Sequence, residues 1–162
     1  MKHSLHRTTK LALLGRTPRI NAYLAVLRWS QQRKYKKIAS LISYRMQNTF
    51  GVFISPRARI SKSVRFPHPA GIVIGDGVII DESAIIYQNV TLGGARIGDA
   101  DAGKYPRIGS GTVVFAGAVI AGGIRIGRGC TIGANAVVLS DVPDGATAVG
   151  VPARILSKKP RI

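Results

Sequence analysis

A bulky apolar residue recurs every six positions along most of this chain, and no other feature restricts the fold as much. The series runs Ile54, Ile60, Phe66, Ile74, Ile80, Ile86, Leu92, Ile108, Val114, Ile120, Ile126, Ile132 and Val138. Two extra residues interrupt it after Phe66, and ten after Leu92. Two positions before an anchor stands a second small or branched residue: Ala58, Val64, Ile72, Val78, Ala84, Val90, Thr112, Ala118, Ile124, Cys130 and Ala136, with Val142 closing the column. On an extended strand both residues point the same way. A plain strand keeps period 2 and a helix 3.6, so a period of six requires a turn that resets the phase once per repeat. The third residue after the anchor supplies it: Gly77, Ser83, Asn89, Gly111, Gly117, Gly123, Gly129, Asn135 and Asp141. Most of these residue types reach positive φ cheaply. Arg57 fits that column poorly. Short strand, bend and short strand wind the backbone around a closed prism, its coils stacked at roughly 4.8 Å. A Gly-rich β-sandwich is the competing architecture, but alternation alone does not hold a six-residue register over thirteen anchors.

The remainder divides the chain. Residues 1–50 are basic and largely helical, 51–143 form the repeat region with a loop at 95–106, and 144–162 read as a C-terminal tail. Thr17-Pro18 suits a helix start, followed by Ile20, Tyr23, Leu24 and Leu27 on one face. A second helix is expected from about Gln32 to Gln47, with Tyr35, Ile38, Leu41, Ile42 and Met46 inward and Gly51 closing it. Residues 1–16 show no period and read as a mobile tail, as do the basic residues from Ser157. The run Leu11–Leu14 is too short for a signal segment or a membrane span, and Cys130 is the lone cysteine, so a cytoplasmic location is expected.

Charge is lopsided. The chain carries 24 Lys and Arg against 7 Asp and Glu, and its first acid is Asp76. A basic N-terminal half suits an anionic membrane face, an acidic substrate or nucleic acid, although no aromatic-interleaved basic motif supports nucleic acid.

Rigid repeats hold their chemistry where the repeat breaks. The first break carries His68, the only histidine after residue 6. An imidazole titrates near neutrality, so it can take a proton from an attacking alcohol; a solvated turn histidine is the plainer reading. A metal site is not expected, since one histidine cannot make a three-histidine zinc centre.

Residues 51–156 resemble the serine O-acetyltransferase branch of the hexapeptide-repeat acyltransferases, whose fold is a left-handed parallel β-helix. The likeness rests on His68-Pro69-Ala70-Gly71-Ile72-Val73-Ile74-Gly75, Gln88-Asn89-Val90-Thr91-Leu92-Gly93-Gly94, Tyr105-Pro106-Arg107-Ile108-Gly109 and Gly150-Val151-Pro152-Ala153-Arg154-Ile155. It implies an acetyl-CoA-dependent enzyme, a homotrimer with sites between subunits, and His68 as general base. By position Gly94, Ala116 and Ala134 would line the acetyl-CoA groove, unless they are small only because the coil demands it. Arg154, Lys158 and Lys159 would meet its phosphates or form a solvated tail. Lys104, Tyr105 and Gln88 are candidate acceptor contacts.

The departures bear on the acceptor. The serine enzymes carry an acid before the catalytic histidine, where this chain has Pro67, and another where it has Phe53. An Arg-His pair of the second loop is replaced by Lys104-Tyr105. Without those carboxylates a free amino acid is held poorly. The first expectation is therefore acetylation of a sugar or polysaccharide precursor, the basic N-terminus resting on the membrane. The alternatives are acetylation of L-serine, and a non-enzymatic basic scaffold.

Overall fold

The computed structural model describes residues 16–156. Two helices, α1 (Arg16–Gln32) and α2 (Lys36–Phe50), precede a column of short strands. The first face of the column stacks β1 (Phe53–Ile54), β3 (Val73–Ile74), β6 (Thr91–Gly93), β9 (Val119–Ala121) and β12 (Val137–Val138). The second stacks β2 (Arg59–Ile60), β4 (Ile79–Ile80), β7 (Arg107–Ile108) and β10 (Arg125–Ile126). The third stacks β5 (Ile85–Ile86), β8 (Val113–Val114), β11 (Thr131–Ile132), β13 (Thr147–Val149) and β14 (Arg154–Leu156). This is a left-handed parallel β-helix.

Register explains the interruptions. Val119 pairs with Val137 and Arg107 with Arg125, so an undisturbed coil takes eighteen residues. Phe53 pairs with Val73 across twenty, and Ile79 with Arg107 across twenty-eight. The two and ten surplus residues loop out at corners, and the pairing resumes in phase. Along the first face, Val73, Thr91 and Val119 donate to the carbonyls of Val90, Ala118 and Ala136, each at 2.8–2.9 Å.

All thirteen anchors are buried, as is every member of the second column except the half-buried Ile124. Thr112 is the polar member: its Oγ1 donates to the Gly127 carbonyl at 2.7 Å and accepts from the Cys130 N–H at 3.1 Å. Its hydroxyl is thereby satisfied inside an apolar prism. In the turn column Ser83, Asn89, Gly111, Gly117, Gly129 and Asn135 have φ between 56° and 72°. Gly77, Gly123 and Asp141 do not adopt positive φ.

Helix α1 buries Ile20, Leu24 and Leu27 as its spacing predicts. Helix α2 starts later than expected and its inward face is rotated: Met46 is buried and Ile42 half-buried as expected, but Ala39, Ser43 and Phe50 complete the buried stripe, whereas Tyr35, Ile38 and Leu41 are exposed. The reason is close approach to the column, which small residues permit and which lets Ser43 Oγ donate to the Ile54 carbonyl at 2.6 Å. Gly51 ends α2 in the left-handed region, its N–H on the Gln47 carbonyl. Residues 144–156, read from sequence within a tail, continue the column instead. Ala146 and Ala148 are buried, and β13 pairs with β11 before turning antiparallel into β14. Of the tail expected at residues 1–16, Arg16 already opens α1, and residues 1–15, like those from Ser157 onward, lie outside the described residues.

Ile120 registers with Leu92 on one side and Val138 on the other. Ile120→Ala is expected to cost about 2–5 kcal/mol, read as a lowered urea midpoint, because a rigid stack closes poorly over a cavity.

Candidate active site

The strands divide the sequence-predicted residues between two corners. His68, Gln88, Ala116 and Ala134 lie where the third face passes into the first. Gly94, Lys104 and Tyr105 lie where the first passes into the second. One chain therefore does not bring the candidate base together with Lys104 and Tyr105. Arg154 is exposed in β14, and Lys158 and Lys159 fall outside the described residues.

His68 is exposed on the two-residue excursion. Its ring lies 6.1 Å from that of Tyr87, which stacks on Phe115 at 5.2 Å and 14°. Gln88, next along, has its Oε1 buried without a hydrogen-bond partner among the described residues. A buried acceptor left unpaired is costly, so this oxygen can accept from any donor brought within its reach. Ala116 is half-buried and Ala134 exposed on successive coils of the same corner. Two neighbouring turns there are packed side chain on backbone: a Cβ on Gly71 would stand 2.1 Å from Asn89 Oδ1, and one on Gly117 2.0 Å from Asn135 Oδ1.

Tyr87 and Phe115 were not singled out from sequence. Both directly follow an anchor, a place often held by glycine (Gly75, Gly93, Gly109, Gly127, Gly133), and they differ by one coil plus the ten-residue insertion. Two rings at one corner were legible once the eighteen-residue coil was allowed for.

At the other corner the long loop is tied down. Asp99 is buried, and its Oδ2 accepts from the Ala95 and Arg96 N–H groups at 2.8 Å each, while its carbonyl accepts from Lys104 N–H at 2.9 Å. Gly94 faces that carboxylate's stem, since a Cβ on it would stand 3.0 Å from Asp99 Cβ. The Tyr105 ring covers Gly75 and Gly77, at 3.0 and 2.5 Å from where their Cβ atoms would stand. Lys104 Cβ is 3.3 Å from the corresponding point on Gly123. Gly77 and Gly123 thus serve the returning loop rather than a positive-φ turn. Between the loop and the next coil lies a cavity of about 390 Å³, lined by Arg96, Asp99, Lys104, Gly122 and Leu139 among others.

Known proteins bear directly on this geometry. The profile of the bacterial transferase hexapeptide (six repeats) matches residues 105–140. A serine acetyltransferase of Haemophilus influenzae is 41% identical over 140 residues, covering 86% of this chain and 49% of the relative. The chain belongs to the hexapeptide-repeat transferase family. Within that family its likeness is to the serine acetyltransferase branch. The serine acetyltransferase of Escherichia coli K12 is 42% identical over 130 residues, covering 80% of this chain and 46% of the relative. Among solved structures, a serine acetyltransferase in complex with CoA superposes with a TM-score of 0.72 at 37% identity, covering 83% of this chain and 55% of that one. The soybean enzyme complexed with serine gives 0.74 at 40%, covering 80% and 53%. This hexapeptide-repeat chain spans about half the length of the relatives it matches.

The two N–H donors hold the Asp99 carboxyl below its ordinary range; burial offsets them in part, and the charges of Lys104 and Arg96 add smaller downward pulls. A depressed folded-state value adds stability above the unfolded pKa, and that stability is lost as pH falls through the folded one. Protection of the Ala95, Arg96 and Lys104 amides, which Asp99 ties down, is expected at neutral pH and to fall on acidification below about pH 4. Asp99→Ala is expected to show the low protection at every pH, with the column's own protection unchanged.

Proposed function

We propose that this protein is an acetyl-CoA-dependent O-acetyltransferase acting on the hydroxyl of a small molecule. The observation that carries the proposal is the corner just described. There an exposed imidazole, an unpartnered buried acceptor and a run of small residues share one edge of a rigid column. His68 takes the hydroxyl proton as the oxygen attacks the thioester carbonyl carbon. The carbon–sulfur bond then breaks, and the imidazolium returns the proton to the leaving thiolate. Gln88 Oε1 accepts a hydrogen bond from donor or acceptor substrate. The small side chains of Ala116 and Ala134 leave the backbone of that edge open to the pantetheine arm. Arg154 is a cation available to its phosphates.

Lys104 and Tyr105 join His68 only if a neighbouring chain presents its first-to-second corner beside the third-to-first corner of this one. Such a head-to-tail contact closes as a ring, and a three-sided column suits a homotrimer. Lys104 is exposed and free to meet an acceptor carboxylate or a phosphate, while Tyr105 sets the loop that carries it.

L-serine is the acceptor that the relatives' names support, ahead of the sugar acceptor expected first from sequence. A specific feature keeps the sugar as a second reading: residues 66–72, 87–90, 115–118 and 133–136, which make the His68 corner, contain no acid to hold a substrate ammonium. His68→Ala is expected to lower thiol release from acetyl-CoA by about a hundred- to ten-thousandfold. It should leave a particle of three times the 17.2 kDa chain in light scattering. Undiminished release removes His68 as the base. L-serine tested beside sugars and sugar nucleotides in the same assay ranks the acceptors.

We also propose a cytoplasmic enzyme resting on an anionic membrane surface. No helix among the described residues is long and apolar enough to cross a membrane. What supports surface contact is the outer face of the helix pair. Trp29, Leu41 and Tyr44 are 45%, 52% and 60% exposed among Arg33, Lys37 and Arg45, and residues 16–50 hold no acid. Co-sedimentation with phosphatidylserine vesicles is expected at low salt and should weaken in Trp29→Ala. Equal recovery with neutral phosphatidylcholine vesicles would count against it.

A further inference from the structure

A cavity of about 660 Å³ opens between the helix pair and the first turns of the column, away from the His68 corner. Its charge is one-sided. Lys34, Lys36, Arg57 and Arg59 line it against a single acid, Asp76, which is already paired with Arg57 and accepts from Ser55 Oγ. Lys34, Lys36 and Arg59 make no ion pair with any described residue. Three uncompensated cations thus face one volume. The walls are fixed in advance. Gln31 Nε2 donates to the carbonyls of Pro56 and Ala58, both at 2.9 Å, clamping the end of α1 to the coil. Its Oε1 remains available.

Two features of the turn between the helices place the cations. Lys34 holds φ at 58°, where glycine sits without strain and lysine does not. A helix-to-helix turn needs no lysine there for the backbone's sake. Helix α2 then begins without a side-chain cap from Tyr35 and with no acid in its first turn, although the Lys36 N–H donates to the Lys34 carbonyl at 3.0 Å. Lys36, Ala39 and Ser40 of that end line the cavity, so the positive end of a fifteen-residue helix adds to the field. No aromatic ring lines the space.

We propose that this cavity binds a small ligand through a diphosphate group. A single phosphate would leave much of the charge and volume unused, and without a ring to stack on, recognition falls on the phosphates rather than on any base attached to them. Bound between helix and coil, such a ligand would join the two parts of the fold. The inference uses none of the residues of the acetyl-transfer reading, although the cavity shares the first-to-second corner with Lys104 and Tyr105.

The test is calorimetric titration of the full chain at low salt with pyrophosphate, ADP and orthophosphate. Pyrophosphate and ADP are expected to bind within a few-fold of each other, and at least tenfold more tightly than orthophosphate. Lys34→Gly should weaken pyrophosphate binding several-fold while leaving the thermal midpoint unchanged or higher, since glycine relieves the turn. Lys34→Gly, Lys36→Ala and Arg59→Ala combined should weaken it at least tenfold. Arg128→Ala, which removes a distant surface cation, should keep wild-type affinity. Absence of pyrophosphate binding overturns the proposal. So does an unchanged affinity in the triple variant, or a loss in Arg128→Ala as large as in Lys34→Gly, which would make the effect one of net charge. ADP binding far more tightly than pyrophosphate would overturn recognition by phosphate alone.

Discussion

Backbone hydrogen bonds between residues one coil apart are what the rest of this molecule depends on. They fix the coil at eighteen residues, and that length places every anchor on the anchor below it. A parallel ladder of this kind has little tolerance for slippage, because a shift of one residue turns the apolar set outward. Surplus residues must therefore leave at a corner or not exist. Both excursions obey this rule. His68 stands at one, and Asp99, Lys104 and Tyr105 lie along the other. The constraint that builds the core thus also decides where chemistry can stand.

Much of this was open to reading from the sequence. Thirteen anchors spaced by sixes implied a prism, and each is buried. What escaped was anything set by contacts between distant segments. Gly77 and Gly123 looked like turn glycines because they sit in the turn column, yet they are small because Tyr105 and Lys104 lie over them. Helix α2 looked as though it should bury Ile38 and Leu41 along with Met46, but a polar tie from Ser43 to the Ile54 carbonyl turns the stripe of Ala39, Ser43, Met46 and Phe50 toward the column instead. Residues 144–156 lacked a clean hexad and still docked, with Ala146 and Ala148 buried and β13 paired to β11.

The site shows the same division. His68 was conspicuous as the single histidine of the repeat region, and Gln88 as part of a recognisable block. Its separation from Lys104 and Tyr105 was not visible until the faces were assigned. The acceptor illustrates a limit of resemblance. Relatives' names speak for serine, whereas this chain has Pro67 and Phe53 where the resemblance implies acids. Family likeness transfers a scaffold and a base more readily than it transfers the groups that choose a substrate.

The long excursion joins Gly93 to Arg107, which pair with Ala121 and Arg125 of the following coil. In that coil only Gly122, Gly123 and Ile124 span the equivalent gap. Thirteen residues therefore occupy a socket that three can bridge, with both ends held by the ladder. Evolution can exchange such an insert as a cassette, redrawing the lip of the site while the triangular shaft beneath it stays untouched.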